Sequence, residues 1–224
     1  MAQAGIHALL GMTIKPLTRD RSGLLLGVIL GNLLPDADNL LVAGATLMSS
    51  STEGLHRTFT HSFISVGVLL LGFYLAGMIT GKKWLTNLGI GLAIGMVMHI
   101  LVDLLVWFDG VQILWPLPMY VNLWTNVTPP VWFSKLMMPT EFLFMAWYLA
   151  VLRKWAAAEG TDPIPAGRLR VWIGILLALF AVFTVLVYVL EKGFMTPFGA
   201  LYLVMLGVTA GITIRMRKTI DQVG

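Results

Sequence analysis

The 224-residue sequence contains no cysteine, and only 12% of its residues are charged. The first absence removes disulfides and thiolate metal ligands together. Any metal would have to be held by imidazole, carboxylate, backbone or water. The second leaves about half the charge of an ordinary soluble domain. With 58% of the residues hydrophobic, a water-facing surface built from this chain would aggregate. An integral membrane protein is expected. The net charge of +4 is modest, and the basic residues fall in small groups between apolar runs. They read as topology signals, and nucleic acid is not an expected partner. The N-terminus also lacks the basic region and small-residue cleavage site of a signal peptide.

Apolar runs are what the chain has in abundance. Residues 62–81, 85–108, 171–190 and 195–214 are each long enough to cross a hydrocarbon core of about 30 Å as a helix. Residues 136–152 form a shorter fifth candidate that contains Glu141. Residues 23–34 run into Pro35 and resume at 40–47, as in a broken span. Residues 2–14 suit a half-helix or an interfacial segment. The expected fold is an all-α, polytopic membrane helix bundle of about five to six spans plus a short N-terminal half-helix. Residues 1–130 are expected to form a membrane-embedded metal-site domain. Residues 131–224 are expected to supply C-terminal helices packing on it, interrupted by a polar loop at 156–167. Gly27-x-x-x-Gly31 and Gly91-x-x-x-Gly95 allow close helix approach.

Positive charge orients the spans. Lys15, Arg19 and Arg21, then Lys82 and Lys83, then Arg153, Lys154, Arg168 and Arg170, then Arg215, Arg217 and Lys218 alternate with the spans so that all fall on one side. That side is expected to be cytoplasmic, with the C-terminus, in a bacterial or archaeal inner membrane. The opposite loops carry only Arg57, Lys135 and Lys192. Trp107, Trp115, Trp124 and Trp132 fit an aromatic belt on that outer side.

The unusual polar residues gather at the same level. His99 and Asp103 lie four apart on a helix, on one face of an apolar span. An ionisable group there needs a partner or a cavity. Asp36 and Asp38 follow Pro35, which disfavours helix at Leu34; two apart in irregular or extended backbone, they can aim at one spot. In "HRTFTHS" (56–62), Thr58 or Thr60 can cap the following helix. Ser62 can donate a hydrogen bond behind a ligand, and Arg57 can clamp Asp36, Asp38 or a phosphate. The charge-derived topology brings His7, Asp36, Asp38, His56, His61, His99 and Asp103 together at the outer end. Seven nitrogen and oxygen donors exceed what one tetrahedral ion needs. They suit two ions, or one ion with orienting carboxylates, zinc ahead of manganese. Taken singly, each piece also fits helix packing or a solvated turn. Glu141 could reach the site or merely mark a helix entrance.

His7, "LPDAD" (34–38), "HRTFTHS" (56–62), "HILVD" (99–103) and the proline-containing "LWPLP" (114–118) resemble the YdjM-type, LexA-regulated membrane-bound metal-dependent hydrolases. The resemblance covers residues 1–120. It departs at Asn39, where the family often has histidine. The family in turn resembles zinc-dependent phospholipase C and P1-type nucleases, all-helical enzymes with His/Asp metal sites. This implies hydrolysis of a phosphoester or lipid ester of an amphiphilic substrate. Asp36 or Asp38 would act as base where not a ligand, and Arg57 would hold a phosphate. Two other classes compete. A metal or proton transporter would show related halves or matched broken helices, and none is seen. A structural membrane protein would use the same residues as interhelical hydrogen bonds. Ser62 lacks the Gly-x-Ser-x-Gly elbow of a serine hydrolase.

Overall fold

A computed structural model describes residues 3–190 and 192–224; of the expected segment 2–14, Ala2 lies outside them. The helices are α1 (Ala4–Thr13), α2 (Leu24–Leu33), α3 (Asn39–Leu47), α4 (Phe63–Thr80), α5 (Lys83–Val106), α6 (Val131–Glu159), α7 (Pro163–Val189), α8 (Met195–Arg215) and α9 (Arg217–Val223). Six stretches are long and apolar enough to cross a membrane. One of them is the composite Leu24–Leu47, in which α2 and α3 are joined by a single 3₁₀ turn. The strands are a two-residue antiparallel ladder, pairing Val111 with Val121 and Gln112 with Tyr120.

The α2–α5 crossing organises the bundle. A Cβ on Gly31 would sit 2.2 Å from the Leu92 carbonyl oxygen, and one on Gly95 would sit 2.2 Å from that of Val28. Gly27 and Gly91 face each other in the same seam. No side chain fits there, so both glycine pairs bring backbones into contact, as their spacing indicates. The close approach lets His99 of α5 reach the Asn32 carbonyl of α2. A hydrophobic core centred on Leu25, Ile29, Phe142, Met145 and Tyr148 joins α1 and α2 to α6, and extends into α7, α8 and α9.

Several local expectations are corrected. Leu34 keeps right-handed helical angles (φ −63°, ψ −42°), and residues Pro35–Asp38 form a 3₁₀ turn, not extended chain. A proline tolerates the first position of a helical turn, where its missing N–H costs nothing. The polar loop expected at 156–167 shrinks to the turn around Gly160 (φ 63°) and Asp162 (φ 45°). Helices α6 and α7 run well past their apolar stretches on either side of it. Glu141 sits inside α6, not at its entrance. Ser62, not Thr58 or Thr60, caps α4 by accepting the Ile64 N–H. Trp107 is buried, while Trp115 and Trp132 are exposed, so Trp107 does not belong to a surface belt.

The basic clusters meet at one end. Asp221 accepts from Ser22 Oγ and the Gly23 N–H. Asp162 accepts from the Thr219 N–H and hydroxyl, and Lys15 lies over the Trp155 ring. The polar histidine and aspartate residues lie at the other end of α2 and α5.

Candidate metal centre

Four elements deliver the centre. Helix α1 brings His7. The 3₁₀ turn after α2 brings Asp36 and Asp38. The segment ahead of α4 brings His56, Arg57 and His61, and α5 brings His99 and Asp103. All seven expected ligand candidates converge. His7, His61 and His99 are fully buried, and Asp36, Asp38 and Asp103 nearly so.

Hydrogen bonds separate the roles. Nδ1 of His99 lies 2.7 Å from the Asn32 carbonyl oxygen and so donates to it. His61 Nδ1 lies 2.9 Å from Thr60 Oγ1 and 3.4 Å from Asp38 Oδ2. The Thr60 hydroxyl donates to Asp38, so its oxygen accepts from Nδ1, which leaves Nε2 with the lone pair. The Nε2 atoms of His61 and His99 stand 3.2 Å apart. Two imidazole lone pairs aimed at one point repel unless a proton or a cation lies between them. The separation suits two ligands each about 2.1 Å from one ion. Asp103 Oδ2 lies 3.4 Å from His61 Nε2 and 3.7 Å from His99 Nε2, and its Oδ1 is 3.2 Å from His7 Nε2. The His7 ring stacks on His99 with centroids 3.7 Å apart.

The two aspartates of the turn differ. Asp38 is saturated. Its Oδ1 meets His56 Nδ1 at 2.7 Å, and its Oδ2 accepts from Thr60 Oγ1 at 2.8 Å and from the Arg57 N–H at 3.2 Å. Both oxygens of Asp36 are buried without a hydrogen-bond partner, as are both ring nitrogens of His7. Buried polar atoms are normally paired, and the unmatched carboxylate oxygens of Asp36 could receive a cation. Among the described residues, three groups could hold a metal ion: His7, His99 and Asp103; Asp36, His61 and His99; and Asp38, His56 and His61. His61 and His99 each belong to two of them. The donor set, without sulfur, suits a hard or borderline divalent ion.

Burial pushes the His61 imidazole down, but its contacts with Asp103 and Asp38 outweigh this and raise it to about 9. An ion taking His61 must displace that proton.

Arg57 departs from expectation. Its side chain reaches neither Asp36 nor Asp38; Nε lies 3.4 Å from Asp103 Oδ2, and an Nη lies 3.4 Å from Asp109 Oδ2. The reason is its backbone, held at φ 58°. This is costly for a residue with a Cβ, and it is stabilised by the N–H bond to Asp38 and by the Gln112 N–H donating to the Arg57 carbonyl. The main chain therefore faces Asp38 while the guanidinium turns to Asp103. A cavity of ≈ 440 Å³ opens beside it, lined by His56, Arg57, Asp109, Gln112 and Tyr120 among others.

Sequence reasoning left Glu141 open. Its carboxylate is buried in α6, and both oxygens accept the Gly5 N–H, at 3.0 and 3.1 Å. Its position inside an apolar run was the available signal.

No curated protein and no solved structure matches the chain. The family model described as YdjM inner membrane protein matches residues 2–194, a stretch that contains every residue of the centre. The chain therefore belongs to the YdjM inner membrane protein family.

Proposed function

We propose that this membrane protein is a metal-dependent hydrolase of a phosphoester or lipid ester, acting at the outer half of the membrane. The observation that carries the reading is the convergence of the buried Asp36 oxygens, which have no hydrogen-bond partner, with the opposed Nε2 atoms of His61 and His99, beside the buried His7 ring. His7, Asp36, His61, His99 and Asp103 would hold one or two ions, zinc ahead of manganese. When bound, such an ion supplies Lewis acidity to an ester oxygen and acidifies water. Asp38 and Thr60 orient His61, and the Asn32 carbonyl orients His99. Asp36, with both oxygens open, suits a ligand or a base. Arg57 stands between the centre and the cavity beside it, where a guanidinium suits a phosphate.

An amphiphilic substrate is supported by a second hollow. A groove of ≈ 570 Å³ runs along α4 from Ile64 to Ala76 and is roofed by Trp115. The Trp115 carbonyl is bonded to Ser62, next to His61. A polar head near Arg57 and an apolar chain along α4 would thus flank the centre. The outer location and a cytoplasmic C-terminus are supported by the basic clusters gathering at the opposite end.

The test is metal content by mass spectrometry on purified wild type and a His61→Ala, His99→Ala double variant, followed by a phosphoester and lipid-ester screen. Near-stoichiometric zinc or manganese is expected in the wild type and not in the variant, with hydrolysis abolished by a chelator. Full hydrolysis in the double variant would sink the reading.

A further inference from the structure

Among the described residues, Glu141 is the one buried carboxylate near the centre that the proposed chemistry does not use. It lies mid-span on α6 and is fully buried. A carboxylate inside a span costs several kcal/mol unless a partner or a wet cavity meets it. Its hydrogen-bond partner is the Gly5 N–H, in the first turn of α1. That group has no acceptor within its own helix, and a carboxylate at a helix N-terminus is favoured by the helix dipole. Gln3 adds a second tie, its amide donating to the Met137 carbonyl and to Thr140 Oγ1 of α6. The contact is tight, since a Cβ on Gly5 would lie 2.6 Å from the Met145 backbone nitrogen. His7 follows two residues later, stacked on His99 and 3.2 Å from Asp103. Nε2 of His7 faces Asp103 and its Nδ1 has no hydrogen-bond partner, so the ring lacks the backbone hydrogen bond that fixes His99.

We infer that Glu141 is a positioning residue of the metal centre: by accepting the Gly5 N–H it fixes the first turn of α1 and so the place of His7. The inference rests on the metal-site reading above. The second half of the chain thereby takes part in the centre without supplying a ligand. What matters is an acceptor of the right length, so glutamine suffices and alanine does not.

The experiment measures zinc and manganese affinity by chelator competition for Glu141→Ala and Glu141→Gln, each alone and combined with His7→Ala. The unfolding midpoint of each metal-free protein is recorded alongside. Glu141→Ala is expected to weaken binding by about 10–100-fold, the usual effect of losing a group that orients a ligand. Glu141→Gln stays close to wild type. In the His7→Ala background Glu141→Ala causes no further loss of affinity, because its effect runs through His7. A purely structural residue would lower the unfolding midpoint and leave affinity alone, or lower affinity equally in both backgrounds; either result overturns the inference. So does a Gln variant as impaired as the Ala variant. A wild type that binds neither metal removes the proposed function itself, whereas a metal-binding wild type with an unaffected Glu141→Ala removes only the role of Glu141.

Discussion

The two ends of this bundle both carry ionisable side chains, but they treat them differently. At the basic end, Lys82, Lys83, Arg168 and Arg170 are exposed, and two acids among them are matched to donors: Asp221 to Ser22 and Gly23, Asp162 to Thr219. At the other end, His7, Asp36, His61, His99 and Asp103 are buried, and several of their atoms have no hydrogen-bond partner. Charge at the first end answers to the membrane and to loop structure. Charge at the second is concentrated where it is most costly and left partly unmatched. Unmatched burial, more than charge itself, separates a site from a topology signal.

The sharpest way to break this contrast is to show that both ends face the same side. The chain has no cysteine, so single substitutions report cleanly. In intact cells a membrane-impermeant maleimide should label Thr52→Cys and leave Glu159→Cys unlabelled until the membrane is opened. Labelling of both before lysis would overturn the proposed orientation, and with it the outer location proposed for the site.

A second test targets the support beneath each end. Gly95→Leu places a side chain where a Cβ already meets the Val28 carbonyl at 2.2 Å. It should cost about 3 kcal/mol by overpacking, lower the unfolding midpoint and empty the centre of metal. Gly211→Leu, with nothing within 4 Å of the added Cβ, should stay within about 0.5 kcal/mol of wild type. Equal effects would show that the α2–α5 seam is not what holds the centre together.

The smallest expected effect compares cations. Arg57→Gln should keep its metal yet lose about tenfold or more in kcat/KM, since about 1.4 kcal/mol of substrate or transition-state stabilisation gives that factor. Lys82→Ala, at the other end, should change neither. Loss of metal in Arg57→Gln would instead assign the guanidinium a structural role beside Asp103.

Much of this was legible in the sequence because helices convert spacing into direction. His99 and Asp103, four apart, had to share a face, and the paired glycines of α2 and α5 had to sit in a close seam. What was not legible depended on backbone detail or on distant contacts. The division of labour between Asp36 and Asp38 follows from a 3₁₀ turn where extended chain was expected. Arg57 turns toward Asp103 because its own main chain adopts a left-handed conformation, which the residue type disfavours. Helices α6 and α7 outrun their apolar stretches because hydropathy marks the thickness of a membrane, not the length of a helix; polar residues such as Arg153 and Lys154 continue the same helix. Glu141 finds its partner 136 positions away, beyond any local pattern.

That long reach also orders the birth of the protein. By the time Asp103 has left the ribosome, every candidate ligand of the centre has been synthesised. The clasp on the first turn of α1 has not, because Glu141, Thr140 and Met137 all come later. During translation α1 must wait, beside α2 and α5, for α6 to be inserted against it. The centre is thus completed only after a further transmembrane segment has been threaded into the bilayer, and a nascent chain halted before α6 carries every candidate ligand without the clasp that secures the first of them.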